Sequence, residues 1–353
     1  MILVGLALPG QPGYLVDEHL DELGDLAVSA GAEVGARSVQ SRRAPHAATF
    51  IGSGKAKALR EAAAEVGAEL LVFDDDLTPS QTARLEELTD CTVLDRSGLI
   101  LEIFRSRART REARTQVELA QLEYQLPRLT RRWTHLSRQV GGIGVRGGEG
   151  ETQLEADRRM LRRRIRRLKK DLVKIERTRS VQRSGRRGVI SVALAGYTNA
   201  GKSSLFNQLT HSKAVVEDRV FATLDSKLRR GALPGPEVIV FADTVGFIRK
   251  LPHHLVASFR GTLEEVANAD LVLHVVDRSH CNWQEQQRVG EEVLRELGVE
   301  PGKVVEVYNK MDRVPLGTSP NGGIWISARS GAGLDRLRDE IRSRLGVPSA
   351  VPA

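Results

Sequence analysis

The sequence is poor in aromatic residues and in cysteine, which excludes a core rich in aromatic side chains and a fold held by many disulfides. Aromatic side chains make up only 4% of the 353 residues, so the cores are expected to be aliphatic. Two cysteines are too few for a disulfide framework, which favours the reducing cytoplasm. No stretch is long and apolar enough to span a membrane, and residues 1–8 lack the basic flank of a signal peptide. We expect a cytoplasmic monomer and leave peripheral membrane attachment open.

Acidic residues are scarce in one segment only. Residues 105–187 hold 25 Arg and Lys against nine Asp and Glu, whereas the rest of the chain has more acidic than basic residues. The basic charge therefore belongs to one element. A nucleic acid is the simplest partner for such an element, and the alternative is an ordinary solvated helix face. The size of the imbalance favours the polyanionic partner.

The first hundred residues alternate between short apolar runs and helical patterns. Strands are expected at residues 2–8, 33–39, 70–73 and 92–94, and helices at residues 14–30, 55–66 and 80–88. This alternation predicts a small parallel α/β domain, which we assign to residues 1–104.

Two polar loops in this domain could carry chemistry. Residues 51–55 resemble a phosphate loop, but Thr49 and Ala56 break the required spacing. We interpret this loop mainly as the opening of a helix, with contacts to nucleic-acid phosphates as the weaker alternative. Residues 74–76 are three aspartates that could bind a metal. Residues 78–80, Thr-Pro-Ser, fit helix capping, which is the interpretation we favour.

Residues 105–187 are predicted to form a basic antiparallel helical hairpin. Apolar residues recur at helical spacing from about residue 106 to 140, with an interruption at Pro127, and again from 151 to 183. Six glycines in residues 141–150 separate the helices as a flexible tip. A dimerisation coiled coil is the alternative, but the crowded arginines would repel one another. Candidate nucleic-acid contacts are Arg146, Arg158, Arg162, Arg163, Arg166 and Lys169.

Residues 196–203, Gly-Tyr-Thr-Asn-Ala-Gly-Lys-Ser, match the P-loop pattern in the context that it requires. They stand between an apolar run predicted as a strand and a run predicted as a helix. The N–H groups of such a loop cradle phosphates, and glycine permits the backbone angles. Lys202 would reach the β- and γ-phosphates, and Ser203 would bind Mg²⁺. The loop alone does not distinguish ATP from GTP, or a kinase from a switch.

Motifs further along the chain indicate a nucleotide switch. Thr223 is placed to bind Mg²⁺ and sense the γ-phosphate. Asp243 ends a predicted strand and would hold Mg²⁺ through water, while the amide of Gly246 would meet the γ-phosphate. The catalytic candidates are Lys202, Thr223, Gly246 and Asn199.

Residues 309–312, Asn-Lys-Met-Asp, select guanine. The Asp312 carboxylate can accept hydrogen bonds from N1–H and the 2-amino group of guanine, donors that adenine lacks. Lys310 would pack along the base, and the backbone of residues 327–329 would meet guanine O6. The predicted GTP-binding set is Gly196, Tyr197, Thr198, Asn199, Ala200, Gly201, Lys202, Ser203, Ser204, Phe221, Thr223, Asp243, Gly246, Asn309, Lys310, Asp312, Ser327, Ala328 and Arg329.

These motifs in this order resemble known families. Residues 189–346 resemble translation-factor-class GTPases, and residues 1–346 resemble the HflX family of ribosome-associated GTPases. The resemblance to HflX rests on residues 51–55, 93–96, 109–112, 116–122, 141–144, 150–155 and 221–225. We therefore expect a P-loop GTPase domain at residues 188–346 after the α/β domain and the hairpin, with a tail at residues 347–353.

The resemblance implies hydrolysis of GTP with Mg²⁺, binding to the large ribosomal subunit and its rRNA, and dissociation or rescue of stalled ribosomes. The alternative is a GTP-gated RNA-binding or ribosome-assembly factor without splitting activity. Some family members are linked to ATP binding through the N-terminal domain, which the spacing at residues 51–55 does not support. The chain ends soon after residues 334–345, so it resembles a short form without the extra C-terminal domain.

Phe247 stands where many GTPases carry a glutamine that orients water. Phenylalanine cannot bind water in this way, so we expect slow intrinsic hydrolysis. In related GTPases an asparagine at the position of Asn199 ligates K⁺, which makes K⁺ a possible second cofactor; the alternative is an ordinary polar loop residue. Activation by the ribosome is the other expected route.

Overall fold

The computed structural model describes residues 1–129, 150–184, 189–211, 220–231, 238–250, 260–315 and 322–346. The chain divides into two compact units, the first formed by residues 1–106 and 114–174, the second by residues 107–113 and 175–353. The three-part division made from the sequence stays a prediction. The glycine-rich tip at residues 141–149, with Arg146, lies outside the described residues.

The first unit contains a four-stranded parallel sheet in the order β2-β1-β3-β4. The strands are β1 Ile2–Ala7, β2 Ala36–Ser41, β3 Leu70–Phe73 and β4 Thr92–Asp95. The connecting helices are α1 Gly13–Ser29, α2 Ser53–Val66 and α3 Pro79–Thr89. The core is mainly aliphatic, with Phe50 and Phe73 in edge-to-face contact. The predicted parallel α/β fold is therefore confirmed.

Both polar loops of this unit serve local structure. The side chain of Thr78 accepts a hydrogen bond from the amide of Gln81 in a capping box at the start of α3, which confirms capping. Asp74 pairs with Arg96 at 2.7 Å. Helix α2 opens at Ser53, within residues 51–55, as predicted.

Helix α4, Arg96–Arg107, was missed by sequence analysis. Its residues are buried on nearly all sides, so its apolar positions show no helical period. The single helix expected from about residue 106 is wrong, because a break separates α4 from α5, Arg111–Gln125. The hydroxyl of Thr110 accepts the amide of Ala113 at this break. The interruption predicted at Pro127 is confirmed by a 3-10 turn, Leu126–Arg128.

Helix α6, Gly150–Ser184, packs antiparallel to α5, because Arg158 near its start bonds to Leu129 after α5 and Arg179 near its end pairs with Glu112 at the start of α5. Leu119 of α5 meets Ile165 and Leu168 of α6 in a buried apolar seam. Two ion pairs flank this seam: Arg164 with Glu118 at 2.6 Å, and Lys169 with Glu123 at 2.8 Å. The apolar spacing in the sequence thus marked a true helix–helix contact.

A buried carboxylate joins β4 to the helices of the first unit. Asp95 accepts hydrogen bonds from the amides of Leu77 (3.1 Å) and Gly98 (2.8 Å). It also accepts the Tyr124 hydroxyl and an Arg128 guanidinium N–H, each at 2.8 Å. Burial and the nearby Asp95 carboxylate raise the pKa of Tyr124. These contacts connect the sheet to α5 within this unit.

We expect Asp95→Ala to destabilise the first unit by about 3–5 kcal/mol, because Arg128 loses its buried partner and three further donors lose their acceptor. The loss of stability should appear as faster hydrogen exchange in peptides covering residues 92–98. The control Glu87→Ala removes an exposed pair with Arg84 and should change stability by less than about 0.5 kcal/mol. Equal exchange in both variants would contradict the assignment.

The second unit contains a six-stranded sheet in the order β10-β9-β8-β5-β7-β6, parallel except for β6. The strands are β5 Ile190–Gly196, β6 Lys227–Arg230, β7 Ile239–Asp243, β8 Leu271–Asp277, β9 Val304–Asn309 and β10 Ile324–Trp325. The helices are α7 Lys202–Thr210, α8 Arg260–Ala267, α9 Trp283–Glu296 and α10 Leu334–Leu345. In the described ranges, no helix combines the length and apolar character that crossing a bilayer requires.

Candidate functional site

A pocket of about 400 Å³ lies at the carboxyl edge of the sheet in the second unit. The residues that the sequence predicted and that line it are Thr198, Asn199, Gly201, Lys202, Ser203, Ser204, Phe221, Thr223, Gly246, Asn309, Lys310, Asp312, Ala328 and Arg329. Gly196, Tyr197, Ala200, Asp243 and Ser327, also predicted, are buried and do not line the pocket itself. The sequence missed Asn207, Gln208, Ala222, Thr244 and Arg313, which stand beside the motifs and carry no pattern of their own.

The loop between β5 and α7 surrounds a buried lysine. The Lys202 ammonium donates to the carbonyl oxygens of Gly196 (3.0 Å) and Tyr197 (2.7 Å). Burial lowers the pKa of Lys202 to about 8, and Asp243 partly offsets this shift. Gly201 has a φ of +89°, and a Cβ there would lie 2.2 Å from the side-chain nitrogen of Asn309. The loop therefore holds a cation that an incoming anion would stabilise.

Three side chains whose oxygen atoms could ligate a metal, those of Ser203, Thr223 and Asp243, converge beside Lys202. The Asp243 carboxylate accepts the hydroxyls of Ser203 at 2.7 Å and Thr223 at 3.1 Å, and the two hydroxyl oxygens are 3.1 Å apart. The other carboxylate oxygen of Asp243 is buried and has no hydrogen-bond partner among the described residues. Hydroxyl and carboxylate oxygens are the ligands that Mg²⁺ prefers, so this set fits a magnesium ion.

The opposite end of the pocket is organised by Asn309. Its side-chain amide donates to the carbonyl of Ala200 at 2.8 Å, and its side-chain oxygen accepts the amide of Ala328 at 2.9 Å. The Asp312 carboxylate accepts the Ser327 hydroxyl at 2.6 Å, which lowers the pKa of Asp312. An ionised acceptor thus faces this end of the pocket.

Three non-glycine residues that line the pocket adopt left-handed backbone angles. They are Asn199, with a φ of 60°, Phe221, with 57°, and Lys310, with 63°. This conformation is costly for a side chain as bulky as phenylalanine. Such strain persists where the surrounding structure holds it, and it is concentrated at functional sites.

Phe247 does not face the pocket. Its side chain is 1% exposed and belongs to an apolar cluster with Leu263 and Val266. Its backbone amide donates to the carbonyl of Gly196 at 2.9 Å, and its carbonyl accepts the amide of Thr198 at 2.7 Å. Phe247 therefore supports the loop and offers no group that could orient water in the pocket.

Asp225 ties the segment that carries Thr223 to the start of α5. Its carboxylate accepts the Thr110 hydroxyl at 2.5 Å and the amides of Arg109 and Thr110 at 3.4 and 3.3 Å. Asp225 lies in residues 221–225, one of the stretches that resemble the HflX family, but the sequence indicated no role for it. Residues 107–113 belong to the second unit, so this bond lies within it.

The basic residues of α6 fall into two groups. Arg158 donates to the carbonyl of Leu129, and Lys169 pairs with Glu123. These two residues, predicted as nucleic-acid contacts, therefore bond to α5 or to the turn that follows it. A second group is exposed and forms no ion pair within the described part of the chain: Arg159, Arg162, Arg163, Arg166, Arg167 and Lys170. Steps of three and four residues place this group, here called the basic face, on one side of the helix.

Comparisons with known proteins place the chain in a family. Three family models match: "GTP-binding GTPase N-terminal" at residues 17–105, "GTP-binding GTPase Middle Region" at 107–186, and "50S ribosome-binding GTPase" at 191–310. GTPase HflX of Magnetococcus marinus is 48% identical over 335 residues, which cover 93% of this chain and 78% of that protein. GTPase HflX of Escherichia coli is 45% identical over 339 residues, with 93% and 79% covered.

A solved structure agrees with this result. The crystal structure of SsGBP in complex with GDP superposes with a TM-score of 0.53 at 26% identity, covering 97% of this chain and 98% of that one. The P-loop, the two hydroxyls beside Asp243 and the stretch around Asn309 are then the parts of a nucleotide-hydrolysing domain. The chain belongs to the HflX family of GTPases, enzymes that hydrolyse GTP.

Proposed function

We propose that this protein binds the large ribosomal subunit through its basic face and uses GTP hydrolysis to dissociate or rescue stalled ribosomes. The observation that carries this proposal is the basic face itself, because exposed arginines that pair with no carboxylate among the described residues are available to rRNA phosphates. The match of residues 191–310 to a model described as a 50S ribosome-binding GTPase supports the same partner. The protein would act in the cytoplasm as a monomer.

The pocket would hold GTP with its phosphates over the loop of residues 196–203. Lys202 would exchange its two carbonyl partners for the β- and γ-phosphates. Ser203 and Thr223 would hold Mg²⁺ directly and Asp243 through water, and the bound ion would supply positive charge to the phosphates. The Gly246 amide would meet the γ-phosphate. A Cβ at Gly246 would lie 2.7 Å from a methyl carbon of Thr198, so a larger residue would crowd this approach.

Guanine would occupy the end of the pocket near Asn309. The ionised Asp312 carboxylate would accept the N1–H and 2-amino donors, as expected from the sequence. Since its side chain is buried and apolar, Phe247 gives the attacking water no side-chain partner. We infer slow intrinsic hydrolysis, stimulated by the ribosome and by K⁺ bound at Asn199, which is exposed at the pocket.

We expect GDP affinity to decline above about pH 8, by at most about tenfold per pH unit. A bound phosphate raises the lysine pKa, so above the free-state pKa a proton must be taken up on binding. Calorimetric titrations in two buffers of different ionisation enthalpy measure this uptake. Uptake that is equally large at about pH 6.5 and about pH 8.5 would contradict the role of Lys202.

We expect turnover to be about tenfold or more faster in KCl than in NaCl, because K⁺ would place charge beside the phosphates during hydrolysis. Phosphate release by the purified protein measures the two rates. Asn199→Ala should remove the difference between the two salts. Equal rates of the parent protein in both salts would rule out K⁺.

We expect the protein with GTP or a non-hydrolysable analogue to convert sedimenting 70S ribosomes into 50S and 30S subunits. The double variant Arg162→Glu and Arg166→Glu should lower ribosome affinity about tenfold or more, and the salt dependence of binding should become shallower, because phosphate contacts are lost. Purified 50S subunits should raise the GTPase rate of the parent protein.

A matched control changes the same charge elsewhere. Arg288→Glu with Arg295→Glu alters two exposed residues of α9 and should leave ribosome binding unchanged. If the protein binds ribosomal subunits or their precursors but does not split 70S ribosomes, the ribosome-assembly function replaces the proposed splitting function. An unchanged GTPase rate with 50S subunits would refute ribosomal activation.

A further inference from the structure

A largely buried ion pair lies beside the pocket. The Lys310 ammonium is 2.7 Å from a carboxylate oxygen of Asp277, and the two side chains are 18% and 12% exposed. Asp277 is the last residue of β8 and is paired in register with Asn309 of β9. The parallel strands therefore end side by side, so that an acidic residue of one strand stands next to the lysine that follows the other.

We propose that Asp277 is a positioning residue for the nucleotide base. Its carboxylate holds the ammonium of Lys310, so that the aliphatic part of this lysine lies along the plane of guanine. Lys310 lines the pocket, whereas Asp277 does not, so Asp277 acts through the lysine. This inference rests on the guanine site proposed above.

The carboxylate is itself held in place. One oxygen of Asp277 accepts the hydroxyl of Ser279 at 2.6 Å and its amide at 3.0 Å, while the other oxygen meets Lys310. The neighbouring Arg278 turns its guanidinium onto the Trp283 ring, 4.0 Å from the ring centre. Asp277 is thus oriented before any ligand arrives.

The same pair restrains a lysine whose backbone is already unusual. Lys310 has a φ of 63°, and the carbonyl of Asn309 accepts the amide of Arg278 at 3.1 Å. A free lysine side chain would lose rotamer freedom when a base packed on it, and the ion pair removes part of that freedom in advance. Asp277 therefore contributes to affinity by preorganisation.

A double-mutant cycle on the full chain tests this role, with GDP and inosine diphosphate as ligands in calorimetric titrations. Asp277→Asn should weaken the binding of both by the same factor, about threefold to thirtyfold, because Lys310 would contact the ring plane and not the 2-amino group. Lys310→Met keeps an apolar stem without the charge. In that background, Asp277→Asn should cause no further loss, because the pair is already broken.

Two controls separate this role from plain stabilisation. Asp270, just before β8, accepts the amide and hydroxyl of Ser191 at 2.7 and 2.8 Å. Asp270→Asn should lower the melting temperature and leave GDP affinity unchanged.

If Asp277→Asn does not fold, Ser279→Ala provides a milder test, because it removes a hydrogen bond that holds the Asp277 carboxylate. It should weaken GDP binding about twofold in the parent background and not in the Lys310→Met background.

The outcomes distinguish this inference from the site on which it rests. If Lys310→Met and Asp312→Asn both leave GDP affinity unchanged, the proposed guanine site is wrong. If these two variants weaken binding but Asp277→Asn does not, the site stands and the positioning role is overturned. Equal losses from Asp277→Asn in both backgrounds would likewise show that it acts without Lys310.

Discussion

Parallel strands end at one edge of a sheet, and this constraint assembles the whole site of the second unit. Residues that are far apart in the chain meet there because β5, β7, β8 and β9 all finish on that side. The Ser203 hydroxyl follows β5, the Asp243 carboxylate ends β7, and they are 2.7 Å apart. Asn309 at the end of β9 closes the other side by binding the carbonyl of Ala200.

The site carries costs that its surroundings must offset. Lys202 is buried with carbonyl oxygens as its hydrogen-bond partners, one Asp243 oxygen has no partner among the described residues, and Phe221 has a left-handed backbone. Mainly aliphatic cores on both sides of the sheet hold these groups in position. The chemistry of such a pocket fits phosphate and a divalent cation, since both would relieve the burial of unpaired charge.

The segments around α5 and α6 make different kinds of contact along their length. Asp225 stands two residues after Thr223 and accepts the hydroxyl of Thr110, the residue just before α5. Further along, the seam between α5 and α6 uses Arg164 and Lys169 for ion pairs, while the basic face forms none with the residues that the structure describes. One helix thus serves both packing and surface charge, because its sides meet different environments.

By itself, the sequence determined the features that depend on neighbours in the chain: the P-loop, the capping box at Thr78, the interruption at Pro127 and the parallel α/β pattern. It also placed Asn309 and Asp312 at a strand end. Only the tertiary structure decided that Asp277 meets Lys310, that Asp95 joins β4 to α5, and that Arg164 and Lys169 form ion pairs with α5. It also revealed α4, whose burial on nearly all sides erased the periodic signal. Such contacts depend on strand register and helix packing, which no local pattern of residues encodes.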